Sequence, residues 1–185
     1  MSIGISAFTH ALPPDWRARF AAEMQALDVG LELHPDFHPL GPDVDCLWAK
    51  LDFHTFSRVR PGVSLLVGCG FEHVGRAEIA ARNRWRLYPP EAREMDHFYD
   101  LSSSMGRADA TVAVQVVVCA ALAVIAGGVV HGLGGDDMVI GPGAELRTAV
   151  RAHLDLLSDR GARPFTGWPS LDLDEVDSFP FADAI

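Results

Sequence analysis

The residues best able to do chemistry fall into a few short clusters. His34-Pro35-Asp36-Phe37-His38, with Cys46 nearby, brings together two imidazoles and a carboxylate. That donor set suits zinc or iron. The prolines forbid the helical turn on which a His-x-x-x-His pair converges. Spacing indicates no third ligand, so a surface loop is the default. Gly132-Leu133-Gly134-Gly135-Asp136-Asp137, preceded by His131, is a second cluster. Backbone N–H groups of a glycine-rich loop can cradle an anion, but Asp136 and Asp137 would repel phosphate, and a flexible turn is the default. An enzymatic alternative follows: a small metal-dependent hydrolase using His34, Asp36 and His38, or His131, Asp136 and Asp137.

Other patterns carry less. Gly68-Cys69-Gly70 misplaces the third glycine of a dinucleotide loop. Ser102-Ser103-Ser104 sits at a strand end, with no histidine or carboxylate placed by motif to activate it, and the chain has neither Gly-x-Ser-x-Gly nor His-Glu-x-x-His. Arg82 to Tyr88 interleaves cations with aromatics, as a single-strand nucleic-acid face does and as an exposed edge does. Its arginines have a third use, pairing with the acidic C-terminus. His73, His97, His131 and His153 are scattered and read as structural.

Charge narrows the choice. Twenty-five Asp and Glu stand against fifteen Lys and Arg, giving a net charge of −10. After Arg163 come Asp172, Asp174, Glu175, Asp177 and Asp183 and no basic residue. Phosphate backbones demand Lys and Arg, so nucleic acid is an unsuitable partner and a basic protein surface a suitable one. The three cysteines, at 46, 69 and 119, form neither a disulfide ladder nor a zinc motif. Reduced thiols in a cytoplasm are the plain expectation, and no cofactor is implied.

The elements that must position these side chains centre on Val112 to Val130, nineteen residues without a charge. A membrane span needs ~20 apolar residues. However, Arg107, Asp109, His131, Asp136 and Asp137 flank the run, Ala and Gly dilute it, and Gly127-Gly128 form a stop. These features predict a buried helix from about Asp109 to about Ala126 rather than a span. Trp16, Phe20, Met24 and Leu27 recur at helical spacing within Asp15–Asp28, closed by Gly30. Leu146, Val150, His153, Leu154 and Leu157 mark the apolar face of a last helix. Strands are expected over Ile3–Phe8, Leu31–Leu33, Leu47–Phe53, Val63–Val74, Arg84–Tyr88, His97–Ser103 and from Val129.

The order predicts an α+β fold: an antiparallel sheet packed by an N-terminal amphipathic helix, a long buried central helix and a C-terminal amphipathic helix. Residues 1–163 make one domain. Residues 164–185 make an acidic extension that Phe165, Trp168, Phe179 and Phe181 pin in part to the body.

Three stretches carry a resemblance: PPDWRARFAAEMQALDVGLELHP after the first strand, GCGFEHV at Gly68–Val74, and FYDLSSSMGRADATVAVQVVVCAALAVIAGGVV at Phe98–Val130. In order and spacing they resemble small bacterial cytoplasmic α+β proteins, some of which are immunity proteins encoded beside secreted toxins. The resemblance carries over no catalytic residue. It implies a non-enzymatic module that neutralises a cognate toxin by occluding its active site. The acidic segment Asp172, Asp174, Glu175 and Asp177, with Phe179 and Phe181, is then the expected contact element for a basic toxin domain, with no membrane or nucleic acid involved.

Overall fold

Residues 109–126 fold as one uninterrupted helix, because eighteen residues with no Pro or Gly can bury every side of the cylinder. In the computed structural model, which describes residues 2–41, 44–52, 64–83, 88–104, 109–133, 138–155 and 163–171, this helix (α3, Asp109–Ala126) lies against the sheet and against two other helices, α1 (Trp16–Leu27) and α4 (Ala144–Leu154). By length and composition it passes for a membrane span, yet 78% of it is buried inside the protein. Its alanines let β1 (Ser2–Thr9) come close enough for Cys119 Sγ to donate to the Ile5 carbonyl at 3.2 Å.

Glycine is required where α3 ends. Gly127 takes φ +70°, the left-handed stop. A Cβ on Gly128 would lie 2.0 Å from the Phe8 carbonyl oxygen, so only a bare backbone passes β1 there. α1 ends differently from the expectation. Asp28, not Gly30, adopts the left-handed conformation (φ 56°), and the Asp28 and Val29 N–H groups bond the Gln25 and Met24 carbonyls.

The remaining strands are β2 (Gly30–Leu33), β3 (Cys46–Asp52), β4 (Ser64–Gly75), β5 (His97–Ser104), β6 (Val129–His131), β7 (Val139–Ile140) and β8 (Arg163–Pro164). Among the described residues they form one sheet in the order β2-β3-β4-β5-β1-β6-β7, with β8 beside the start of β4. Every pairing is antiparallel. The fold is therefore α+β with an antiparallel sheet. Two-residue β7 follows the Gly132–Asp137 cluster, in a stretch where no strand was expected.

One element runs against expectation. β4 passes directly into α2 (Arg76–Asn83), which carries a single buried apolar residue, Ile79. Of the strand expected over Arg84–Tyr88, residues 84–87 lie outside the described residues, and Tyr88 is a bend. Pro90–Glu94 then form a 3₁₀ turn before β5.

Alternation of side chains across the strands sends Ile5, Ala7, Leu47, Cys69, Phe71, Tyr99 and Leu101 into the main core with the helices. Two arginines of α4 tie it to α1. Arg147 donates to both Glu23 oxygens at 3.1 and 3.0 Å, and Arg151 donates to the Leu27 carbonyl at 2.6 Å.

Candidate docking face

The opposite face of the sheet has no helical layer over its middle among the described residues. α2 and the 3₁₀ turn cover one end, where Phe8, Val74 and Phe98 pack with Ile79 and Ala92. Residues 163–171 cover another part, where Cys46, Trp48 and Leu66 pack with Phe165, Trp168 and Leu171.

Between these clusters the register lines up polar side chains. Glu72 pairs with Asp100, Asp100 with Ser6, and Ser6 with His131, in one row across β4, β5, β1 and β6. The next row on the same face is Gly70, Ser102 and Gly4. The two glycines make room. A Cβ on Gly4 would sit 3.3 Å from Asp100 Oδ1, and one on Gly70 would sit 3.1 Å from Ser102 Oγ.

Asp100 is half-buried in the middle of the sheet, and Ser6 Oγ donates to its Oδ1 at 2.6 Å. Burial raises its pKa above the ordinary carboxylate value; the Ser6 hydroxyl opposes that rise, and neighbouring Glu72 adds to it. Directly opposed like charges on adjacent strands destabilise a sheet. Arg82 relieves one side of that pair. Its guanidinium reaches Glu72 at 2.6 Å, Glu78 at 2.5 Å and the Tyr88 hydroxyl at 3.2 Å, which together raise its own pKa. The Arg82–Tyr88 segment, in its described part, is thus a clamp for Glu72 and Glu78, while Asp100 is bonded by Ser6 and feels Arg82 and His131 only through space.

The side chains of the first cluster have different surroundings. His34 is buried rather than on a surface loop. Its Nδ1 accepts the Asp36 N–H at 3.2 Å, which leaves Nε2 to carry the proton and donate to the Pro169 carbonyl at 3.1 Å. The Trp168 ring meets it edge-on at 5.2 Å. His34 therefore ties residues 163–171 to the body, and both ring nitrogens are engaged. Phe37 of the same stretch is buried in the core, whereas Asp36 and His38 are exposed. His38 Nδ1 accepts the Leu40 N–H at 3.2 Å. Among the described residues no three His, Cys, Asp or Glu side chains are grouped to hold a metal.

His131 stands beside Ser6, while Asp136 and Asp137 lie outside the described residues. So do Asp172, Asp174, Glu175, Asp177, Phe179 and Phe181. Ser102 faces the polar rows, and Ser103 is buried on the helical face with no hydrogen-bond partner for its hydroxyl among the described residues. His73 and His97, scattered in sequence, are neighbours: His73 Nε2 lies 3.0 Å from His97 Nδ1.

The architecture defines a class, an α+β protein whose antiparallel sheet is backed by helices and carries a polar patch on its other face. No family model, curated protein or solved structure matches the chain.

Proposed function

We propose that this chain is a cytoplasmic, non-enzymatic protein-binding module of the immunity type, which binds and neutralises a bacterial toxin domain of basic surface. In this reading α1, α3 and α4 stiffen the sheet from behind and leave its other face to the partner. The observation that carries it is the Glu72–Asp100 pair: two carboxylates opposed on adjacent strands, of which Arg82 touches only Glu72 and acts on Asp100 through space. A cationic side chain from a partner would relieve a repulsion that the isolated fold tolerates. Glycines 4 and 70 keep the floor low enough for an arginine to reach Asp100, and Ser6 and Ser102 add hydroxyls beside it. The chain's net charge of −10 favours encounter with a basic surface. The acidic C-terminal segment at 172–177 extends that attraction, with Phe179 and Phe181 as anchors.

The test is calorimetric titration of the full chain with the protein encoded by a neighbouring toxin gene, alongside growth protection on co-expression. Tight binding with protection is expected. Asp100→Asn should weaken that binding by about 1.5–3 kcal/mol, as loss of a charge-assisted hydrogen bond does. A toxin that neither binds nor is neutralised overturns the proposal.

A further inference from the structure

β4 and β5, the strands that bear Glu72 and Asp100, are joined by residues 76–96, and two histidines sit at the root of that connection. His73 belongs to the last turn of the pleat in β4, and His97 opens β5. The register that sets Gly75 opposite His97 brings the two rings together. Their nitrogens are 3.0 Å apart, and both rings lie nearly parallel to Tyr99, at 5.1 and 6.1 Å between centroids.

A hydrogen bond between two imidazoles needs one nitrogen that carries a proton and one that does not. The neutral pair satisfies this, and so does the pair with one added proton. With a second added proton every ring nitrogen becomes a donor. The bond is then lost, and two cations are left in contact. Among the described residues the surrounding groups offer little compensation. Asp96, just before β5, favours a charged His97 through space but is already held by Arg76 of α2 at 2.8 Å and by His10, after β1, at 3.5 Å. Arg76 is itself a cation, and its other bond is to the Glu94 carbonyl at 3.2 Å. Tyr99 contributes a neutral ring. Partial burial and mutual repulsion both favour the uncharged His73, and burial does so for His97 against the pull of Asp96.

The connection carries functional groups. Ile79 and Ala92 press on the Phe8–Phe98 cluster, and Arg82 clamps Glu72. α2 begins at Arg76, immediately after Gly75, so the pair closes the ends of β4 and β5 from which the connection leaves, on the face it shares with Tyr99 and opposite the one on which Ile79 and Ala92 pack.

We propose that His73 and His97 form a proton-operated latch, which keeps the ends of β4 and β5 closed at the root of residues 76–96 while at least one ring is neutral and, when both are charged, opens that root and loosens the connection with Arg82. The latch rests on the docking reading only for its consequence, which is that Glu72 then loses its internal guanidinium.

Amide hydrogen exchange of the full chain tests it, with rates corrected for the intrinsic pH dependence of exchange. Between about pH 7 and about pH 5, protection of α2 and of the 90–94 turn should fall at least about tenfold while α3 keeps its own. His97→Gln supplies a donor and an acceptor that do not titrate, and should abolish the pH dependence. His73→Gln is the second variant, and ring ¹⁵N shifts of the unaltered chain should report two coupled protonations. Protection that stays constant, that is lost together with α3, or that falls equally in both variants overturns the latch. No partner enters these measurements. A working latch in a chain that binds no toxin would therefore sink only the docking function, and toxin binding without the exchange response would sink only the latch.

Discussion

Asp100 combines a stability cost with a proposed binding role, and the two separate by pH. Its carboxyl is held above its unfolded-state pKa by burial and by Glu72. A group with a raised folded pKa contributes stability that is complete below the unfolded value and is lost as pH rises through the folded one. At neutral pH the ionised Asp100 therefore weakens the fold. Asp100→Asn keeps an acceptor for Ser6 and removes the repulsion, so it should stabilise the isolated chain by up to about 1 kcal/mol at neutral pH while weakening partner binding. The gain should vanish below about pH 4, where both side chains are neutral. Thermal denaturation at the two pH values checks this. A variant destabilised at neutral pH would contradict the burial argument. The histidine pair has the opposite sign. Both rings have depressed pKa values, so the stability they supply is present above about pH 6.5 and is lost as pH falls through the folded values. His73→Gln should flatten that part of the stability profile in urea melts. Neither group was legible in the sequence as a partner of the other. His73 and His97 are 24 residues apart, and the Glu72–Asp100–Ser6–His131 row exists only through the register of four strands. Residue types alone pointed to His34 and His38, which the fold puts to structural use in a turn.

At the scale of elements, legibility followed the strength of the apolar signal. α3 could be read from its charged flanks and glycine stop because every turn of it is buried. The face of α1 could be read because Trp16, Phe20, Met24 and Leu27 all point to the core. α2 could not, since one buried isoleucine makes no stripe, and its charges serve Glu72 and Asp96 instead. β7 and β8 are two residues each, too short for alternation to show. The glycine pair after α3 supplies a test of how an element boundary is fixed. Gly127→Ala strains a left-handed backbone in otherwise open space, with only His10 within 3.9 Å of the added carbon. Gly128→Ala drives a methyl into the Phe8 carbonyl. Gly127→Ala should cost about 1–2 kcal/mol, as an alanine forced into the left-handed region does. Gly128→Ala should reach or exceed the upper end of the ~1–3 kcal/mol range for overpacking. Equal urea midpoints for the two variants would show that β1 yields there.

Across the whole molecule, charge is distributed so that the fold and the proposed encounter make separate demands on it. Within the body, several carboxylates are spent on internal pairs: Glu23 with Arg147, Glu72 and Glu78 with Arg82, and Glu32 and Asp52 with Lys50, the only lysine of the chain. Such pairs orient side chains but project little field. The five acidic residues after Arg163 have no basic residue in their own segment to offset them. If the partner is basic, this segment should act on association rate more than on residence time, because long-range attraction speeds encounter whereas close contacts slow release. A chain ending at Leu171 retains β8, Phe165, Trp168 and the His34–Pro169 bond, so the sheet keeps its cover. Its association rate with the toxin at low salt should fall roughly tenfold, and the difference from the full chain should close as salt shortens the screening length. Dissociation should change less unless Phe179 and Phe181 anchor the complex, in which case replacing both with alanine in the full chain reproduces the faster release. Stopped-flow rates across a salt series separate these contributions. A truncated chain with the full chain's rates at every salt concentration would remove the acidic segment from the contact and leave the Asp100 face to account for binding alone.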